Sequence, residues 1–335
     1  MHGLLALSAL HVAQVWPTQA EKNLRMCDSH QNKALEMFRS VLSSALNAEM
    51  ATPMFLLAST ISMSSVAKAC ATAGAMTEPR HITMDQVAEL FLLTRGVRDV
   101  VEVCSEWIKN GPLGILLGSY HAPEDPNATL PQPIIEHFES LDGMIDKSCS
   151  DPTELHACKE ALFELRRVYG GVAHFDSKSR LQTGHVFTWM TSVSSEFVTL
   201  IQNCSPPALI LVAHFASVSL AVRSAWYTRD WGNYCLTGVG LALEGTDFQQ
   251  WLEWPKAHAH SNMVSRDEHF VWRALHSQGS DVQPGHINAR KDGGWLAVVL
   301  SAMPPCTPVL KCDQSASRKL LREMVPVHFQ THPKQ

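Results

Sequence analysis

The sequence predicts an all-α fold: a multi-helix bundle followed by an irregular C-terminal tail. Three observations carry this prediction. Apolar residues recur every three or four positions over long stretches, strand-like alternation is nearly absent, and helix start and stop signals frame the periodic stretches. The 335 residues, of which 45% are hydrophobic and 18% charged, suffice to bury a sizeable core.

The clearest helix is predicted for residues 86–108, because its apolar positions share one stripe while charged residues fill the other faces. Another helix is predicted to begin at Asp151, whose carboxylate can cap a free amide; Pro152 follows and Glu154 completes a capping box. Gly170-Gly171 is predicted to end that helix. Further helices are expected at residues 2–14, 20–44, 50–72, 185–203, 207–226, 231–243 and 246–252.

Two stretches are predicted to be loops: residues 119–133, which hold four prolines, and the polar residues 171–182. Residues 256–335 are rich in glycine and proline and poor in periodicity. We therefore expect a helical domain over residues 1–255 and a divergent, partly irregular or disordered tail over residues 256–335.

The net charge and the cysteine pattern indicate which partners and which cellular compartment are expected for the chain. The formal net charge is −5, so no basic excess is present to neutralise phosphates, and direct nucleic-acid binding is not expected. The nine cysteines are scattered without a CxxC pair, which indicates a reducing compartment, the nucleus or the cytoplasm.

No membrane span is expected from the sequence. The apolar residues 4–15 lack a basic flank, which argues against a signal peptide. The apolar run at residues 208–222 is shorter than the roughly 20 residues that a bilayer requires, and His214 interrupts it. We interpret that run as a buried core helix.

No catalytic residue, cofactor or metal site is predicted. The GxGxxG, GxxxxGK[ST], GxSxG and HExxH motifs are all absent from the sequence. Asp99, Glu102 and Glu106 share one helical face and could hold a divalent ion, although ion pairs one turn apart explain them more simply. His258 and His260 lack further ligands at zinc-binding spacing.

Aromatic residues concentrate between residues 187 and 254, and this concentration has two interpretations. The rings at helical spacing could form core packing alone, or they could line a lipid-sized apolar cavity together with methionines. The cavity hypothesis places a ligand among the helices at 185–203, 207–226 and 231–254. Its candidate ligand-binding residues are Phe187, Met190, Phe197, Leu211, Phe215, Trp226 and Trp251.

Two blocks of the sequence resemble a known family. The first runs Leu-Leu-Ala-Leu-Ser-Ala-Leu-His-Val-Ala over residues 4–13, and the second includes Pro207-Ala208-Leu209 and the Trp-Leu-Glu-Trp-Pro run at residues 251–255. Both, in this order, are similar to the C-terminal regulatory domain of fungal zinc-cluster transcription factors of the sterol-uptake-control type. The resemblance covers roughly residues 1–255.

The resemblance implies an all-α, often dimeric domain with a hydrophobic ligand pocket near its C-terminal helices, where occupancy by a sterol-like molecule controls activity and localisation. The family's six-cysteine DNA-binding module has no counterpart among these residues, whose first cysteine is Cys27. The stretch beyond Pro255 also departs from the family pattern.

Three hypotheses for the function follow. The favoured one is a transcription-regulator-like, ligand-sensing or dimerisation module without its own zinc cluster, acting as a homodimer or as a heterodimer with a full-length factor. The alternative is a biosynthetic enzyme that uses the apolar helical pocket on an isoprenoid or polyketide. The third is a degenerate relict without present activity.

Overall fold

The computed structural model describes residues 1–42, 47–111, 113, 127, 130–174, 183–223 and 225–264. These residues form α-helices joined by short connections and contain no β-strand, so the all-α prediction is confirmed. The helices are α1 (His2–Val15), α2 (Ala20–Leu42), α3 (Ala48–Gly74), α4 (Met84–Lys109), α5 (Gln132–Ser148), α6 (Pro152–His174), α7 (Thr183–Ser192), α8 (Ser195–Gln202), α9 (Pro206–Ser219), α10 (Trp231–Ala242) and α11 (Glu253–Val264). Segments of 3₁₀-helix span Pro17–Gln19, Leu220–Val222 and Asp247–Leu252.

Helix α9 is the centre of the C-terminal half. Every residue from Pro207 to Ser219 is buried, as expected for a helix that is apolar on all sides. It packs against every helix from α5 to α11 and against the 3₁₀ segment Asp247–Leu252. The sequence interpretation of this run as a core helix is therefore confirmed, although the helix ends at Ser219 and a 3₁₀ segment follows at Leu220–Val222.

Helices α1, α2 and α3 pack on one another, and α3 also contacts α4, which reaches α7 and α8. Helix α4 begins with the capping box of Thr83 and Gln86, in which each side chain accepts a bond from the other's backbone amide. The predicted apolar stripe of α4 is buried at Val87, Leu90 and Cys104.

Three predicted boundaries are wrong, and in the first two cases tertiary contacts outweigh a local signal. Helix α6 continues through Gly170-Gly171 to His174, since both glycines are buried inside the helix rather than ending it. The single helix predicted over 185–203 breaks after Ser192 into α7 and α8. The α-helix predicted over 246–252 is a 3₁₀-helix over Asp247–Leu252, with Thr246 as its N-cap.

The break between α7 and α8 is held by side chains of α4. The guanidinium of Arg95 donates to the carbonyl of Val193 at 3.2 Å, and that of Arg98 donates to the carbonyl of Thr191 at 3.2 Å. Both carbonyls lie at a helix end, where intrahelical partners are lacking. The hydroxyl of Ser194 then caps α8 by accepting from the amide of Phe197 at 3.2 Å.

Helix α5 was missed by the sequence analysis. The proline cluster was interpreted only as a loop, but Pro131 stands at the N-cap of α5 and Pro133 lies in its first turn, where a missing amide hydrogen does no harm. The buried face of α5 consists of Ile134, Phe138, Leu141, Met144 and Ile145.

All the described helices lie within the compact unit that begins at Met1. Helix α11 extends across residue 255, the predicted end of the helical domain, and residues 265–335 of the predicted tail lie outside the described part of the chain. The predicted loops at 119–133 and 171–182 also fall largely outside it.

Within the part of the chain that the structure describes, one helix, Ala48–Gly74, is long and apolar enough to cross a membrane, and 67% of its apolar 18-residue window is buried in the protein. The bent pair formed by Ser195–Gln202 and Pro206–Val222 passes the same test only if the two are counted as one span, despite an angle of 101° between them. Core helices pass this test as well, so the expectation of no membrane span stays a prediction.

Candidate ligand site

The candidate site is a seam between α5 and the C-terminal segment of residues 247–258. Along α5, His137, Ser140 and Met144 follow one another at helical spacing on one face. The opposing segment contributes Phe248, Trp251, Trp254 and His258, three or four residues apart. The seam is open as a groove at one end and closed by stacked rings at the other.

The open end is a groove with a volume of about 460 Å³, which lies within the range of small-molecule sites. Its apolar lining comes from Met144 of α5 and from Phe248 and Trp251. Hydroxyls, an amide and single charges of each sign complete it. The full lining is Ser140, Gly143, Met144, Lys147, Ser148, Asp247, Phe248, Gln250 and Trp251.

Gly143 lies in the wall of the groove that α5 forms, and its lack of a side chain leaves the groove open. A Cβ atom added to it would meet no atom within 4 Å, so the groove is open directly above the helix backbone there. A glycine inside an α-helix costs roughly 0.5–1 kcal/mol relative to alanine. Here the absence of a side chain leaves room in the groove.

The closed end of the seam is a stack of four aromatic rings. The indole of Trp254 lies between the imidazoles of His137, 4.2 Å away and nearly parallel at 8°, and His258, 3.7 Å away. The ring of His214 of α9 lies beside that of His137 and also stacks on Trp254, with ring centroids 5.1 and 5.2 Å away. Helix α11 is thus fastened to α5 and α9 through Trp254 and His258.

The hydrogen bonds of this stack assign the tautomers of two histidines. Nδ1 of His214 lies 2.7 Å from the carbonyl oxygen of Ile210, which can only accept, so Nδ1 carries the hydrogen. In the neutral ring, Nε2 of His214 is then an acceptor. Nε2 of His137 lies 2.8 Å away and must be the donor. One hydrogen therefore serves the contact between the two imidazoles.

Burial holds these imidazoles in the neutral form. The pKa of His214, which is fully buried, is lowered to about 3, first by desolvation and then by the neighbouring His137. Desolvation, followed by the effect of His258, lowers the pKa of His137 to about 4. The pKa of His258 is also lowered by burial. Groups with such shifted pKa values are candidates for functional roles.

The predicted ligand-binding residues are divided among three places. Phe187 and Phe215 lie in a buried ring cluster that also contains Trp189 and Trp231, with ring centroids 4.7–5.6 Å apart, and Phe197 contacts Trp189 at 5.6 Å. In this cluster the rings pack directly against one another. The remaining members of the set are Met190, Leu211, Trp226 and Trp251.

Met190 and Leu211 are fully buried in the same core as the ring cluster. Trp226 instead packs on the N-terminal helices, with its ring 4.9 Å from that of His11. Trp251 lines the groove. The structure therefore brings Phe187, Met190, Phe197, Leu211 and Phe215 together and separates Trp226 and Trp251 from them.

The sequence analysis missed most of the seam, including His137, Gly143 and Met144. A usable signal was present, because Ile134, Phe138, Leu141 and Ile145 recur at helical spacing and predict a helix over α5. Recognising that helix would have placed His137, Ser140 and Met144 on one face. No sequence signal pairs His137 with His214, which are 77 residues apart.

A second cavity of about 140 Å³ lies between α2, α3 and α4. Its polar lining is largely paired within the protein: the amide of Gln31 donates to the hydroxyl of Ser65 at 2.9 Å, and Lys68 lies 2.6 Å from the carboxylate of Asp28. These pairs connect α2 to α3.

The described ranges contain neither a metal-binding cluster nor a reactive thiol site. Within them no cluster of three or more His, Cys, Asp or Glu residues is arranged to hold a metal ion. The surface-pair interpretation predicts ion pairs of Arg98 with Glu102 and of Arg95 with Asp99. The first forms, at 2.5 Å, whereas the guanidinium of Arg95 donates to the carbonyl of Val193. Burial raises the pKa of Cys27 to about 11 and raises the pKa values of Cys158 and Cys235 as well, so these thiols behave as core residues. His260 lies in α11, but its side chain is outside the described part.

Comparison with known proteins gives one relationship. No protein-family model and no solved structure matches the chain. A Zn(2)-C6 fungal-type transcription factor of Gibberella zeae is 22% identical to it over 258 residues, which cover 75% of this chain and 51% of the relative. The chain thus spans about half the length of that relative. It is distantly related to a fungal zinc-cluster transcription factor, and this relationship supports a transcription-regulator-like role.

Proposed function

We propose that the chain is a regulatory domain of the sterol-uptake-control type, which senses a small apolar molecule in the groove between α5 and residues 247–252. The observation that carries this proposal is the position of the groove. One of its walls contains Trp251, the first residue of the Trp-Leu-Glu-Trp-Pro run that resembles the family. The distant relationship to a zinc-cluster factor supports the regulatory role.

The lining of the groove indicates the kind of ligand. Aromatic rings of Phe248 and Trp251 and the thioether of Met144 favour a flat or extended apolar body. Ser140, Ser148 and Gln250 provide hydrogen bonds for one or two polar groups of the ligand. An amphipathic molecule such as a sterol or an isoprenoid alcohol satisfies both parts.

In this proposal the domain works in the nucleus and dimerises with itself or with a full-length factor whose zinc cluster contacts DNA. Its own acidic charge suits a regulatory rather than a DNA-contacting role.

The enzymatic alternative would use the same groove. The described polar groups of its lining are hydroxyls, one amide, Lys147 and Asp247, without a histidine or cysteine among them.

The experiment tests ligand binding with a substitution, the plug variant Gly143→Leu, whose side chain blocks the groove. Gly143→Leu puts a side chain into the open space, whereas Gly240→Leu, the matched control, makes the same change in open space on α10, away from the groove. Thermal melts of the full chain are recorded with ergosterol, farnesol and cholate. A ligand that binds only the native state raises the melting temperature.

We expect at least one of these probes to stabilise wild type and the Gly240→Leu variant but not Gly143→Leu. Circular dichroism verifies that both variants are folded. If none of the probes shifts the wild-type melt, or if the plug leaves a shift unchanged, the groove is not the ligand site.

A further inference from the structure

Two of the polar side chains that line the groove are already bonded within the chain. The hydroxyl of Ser140 donates to the carbonyl of Glu136 at 3.0 Å, and the side-chain amide of Gln250 donates to the carbonyl of Asp247 at 2.9 Å. Both bonds hold the side chain against its own helical segment. These two groups are therefore less suited to recognising a ligand than groups without a partner.

Three other polar groups of the groove lack such partners. They are the ammonium of Lys147, the hydroxyl of Ser148 and the carboxylate of Asp247. Within the part of the chain that the structure describes, none of the three side chains makes a hydrogen bond or an ion pair, and the two charges do not pair with each other. The groove therefore contains a cation, an anion and a hydroxyl that a ligand can engage.

The other charged side chains on the last turns of α5 are paired. The carboxylates of Asp142 and Asp146 lie 2.8 and 2.9 Å from the ammonium of Lys159 on α6. This ion-pair network neutralises the acids next to the groove. Lys147 and Asp247 are the charged residues that line the groove itself, and they stay open to it.

The two charges lie at the same end of the groove. His137, in the first half of α5, stacks on Trp254, which follows the 3₁₀ segment, so the two walls run antiparallel away from the stacked rings. Lys147 lies in the last turn of α5, and Asp247 is the first residue of the 3₁₀ segment. The unpaired polar groups therefore form the end of the groove that is farthest from the stack.

We infer that Lys147 and Asp247 select the head group of the ligand, and that they favour an uncharged hydroxyl over a carboxylate or an ammonium on the same apolar body. This inference rests on the proposed function, because it requires the groove to bind an amphipathic molecule. A hydroxyl both donates and accepts hydrogen bonds. It can therefore donate to the carboxylate of Asp247 while it accepts from the ammonium of Lys147 or the hydroxyl of Ser148.

A charged head group gains less from the same two residues. A carboxylate accepts from Lys147 but is repelled by Asp247, and an ammonium is attracted by Asp247 but repelled by Lys147. Because the two effects oppose each other, a charged head obtains little net attraction. It still loses part of its hydration on entering the groove, which costs more for a charged group than for a hydroxyl. The neutral alcohol is therefore the favoured ligand.

A matched series of ligands tests the inference. Farnesol, farnesoic acid and farnesylamine share one apolar body, and at pH 8 their head groups are neutral, anionic and cationic. Calorimetry with the full chain measures the three dissociation constants, with each ligand below its aggregation concentration. We expect wild type to bind farnesol at least about threefold more tightly than either charged analogue, which is the scale of interactions between exposed charges.

Variants that each remove one charge should shift the preference in opposite directions. Asp247→Asn removes the repulsion of the carboxylate ligand, so the affinity of the acid relative to the amine should rise about two- to fivefold. Lys147→Met keeps an unbranched side chain without its charge, and the same ratio should fall by a similar factor. Glu244→Gln and Lys33→Met are the matched controls, because these exposed residues do not line the groove and should leave the ratio unchanged.

Lys147 and Asp247 are both exposed, so neither substitution should prevent folding. The inference is overturned if a charged analogue binds wild type as tightly as farnesol, or if the two variants leave the acid-to-amine ratio unchanged. In those cases the proposed function still stands, provided that Gly143→Leu abolishes the binding of farnesol. If no member of the series binds wild type, or if Gly143→Leu leaves binding unchanged, the proposed function fails and the head-group inference fails with it.

Discussion

Trp189 and Trp231 both contact the ring of Phe215 in the buried core, at 4.7 and 5.4 Å between centroids, but only one of them has a hydrogen-bond partner. The indole nitrogen of Trp189 donates to the carbonyl of Ala161 at 2.9 Å. That of Trp231 is buried without a partner among the described residues. A buried donor without a partner costs about 1–3 kcal/mol.

This difference predicts unequal effects of the same substitution. Trp231→Phe removes an unsatisfied donor, whereas Trp189→Phe removes a satisfied one, and the loss of side-chain volume is the same. We expect Trp189→Phe to lower the free energy of unfolding by about 1–2 kcal/mol more than Trp231→Phe. Urea unfolding of both variants measures the difference. An equal or larger loss for Trp231→Phe would show that its indole is bonded in solution.

Phe215→Ala tests the two interpretations of the aromatic cluster. Phe215 is fully buried, and its ring contacts those of Phe91, Phe187, Trp189 and Trp231. A packed core predicts a loss of about 3–5 kcal/mol in the free energy of unfolding. A ligand cavity at this position predicts a smaller loss and a melting temperature that ergosterol raises.

The packing around Phe215 favours the full core penalty. Phe163→Ala is the control, since that ring is 50% exposed and its removal should change stability by less than about 0.5 kcal/mol. A loss at Phe215 below about 2 kcal/mol, together with sterol stabilisation of wild type, would restore the cavity interpretation of this cluster.

Two glycines of α10 predict opposite effects of alanine. A Cβ on Gly238 would lie 2.0 Å from the carbonyl oxygen of Ile82, whose amide donates to the carbonyl of Tyr234 at 3.1 Å. Gly238→Ala therefore forces the backbone of residue 82 away from α10. Gly240 faces open space, so Gly240→Ala should stabilise the helix by up to about 1 kcal/mol.

We expect the melting temperature of Gly238→Ala to fall by several degrees below that of Gly240→Ala, because about 1 kcal/mol corresponds to roughly 2–4 °C in a chain of this size. Calorimetry of the two variants under the same conditions measures the contrast. Equal melting temperatures would mean that α10 and residue 82 are not in close contact.

The histidine pair also predicts how global stability depends on pH. The folded pKa values of His137 and His214, about 4 and about 3, lie below the unfolded value of about 6.5. Their contribution is fully present above pH 6.5 and is lost as the pH falls, by about 2–4 kcal/mol at pH 5. Urea unfolding at pH 7.5 and pH 5 measures this loss, and His137→Gln should reduce it. A stability that is constant over this range would place both imidazoles in solvent.

The sequence by itself determined the elements whose signals are local. The apolar stripe of α4 and the apolar run of α9 predicted two helices because their side chains repeat at the helical period, and the run also predicted the core. Among the residues predicted to bind a ligand, Trp251 is the one that lines the groove. Its signal was the short Trp-Leu-Glu-Trp-Pro run at residues 251–255, which can be recognised without knowledge of distant contacts.

The tertiary structure decided the features that depend on distant partners. Gly170-Gly171 stays helical because α6 is buried there. Helix α7 ends at Ser192, just before Val193, whose carbonyl accepts a hydrogen bond from Arg95, 98 residues earlier in the chain. No local pattern in the sequence pairs His137 with His214, whose nitrogens α5 and α9 place 2.8 Å apart. The physical reason is the same in each case: a contact between residues far apart in the chain adds a free energy that no local propensity contains.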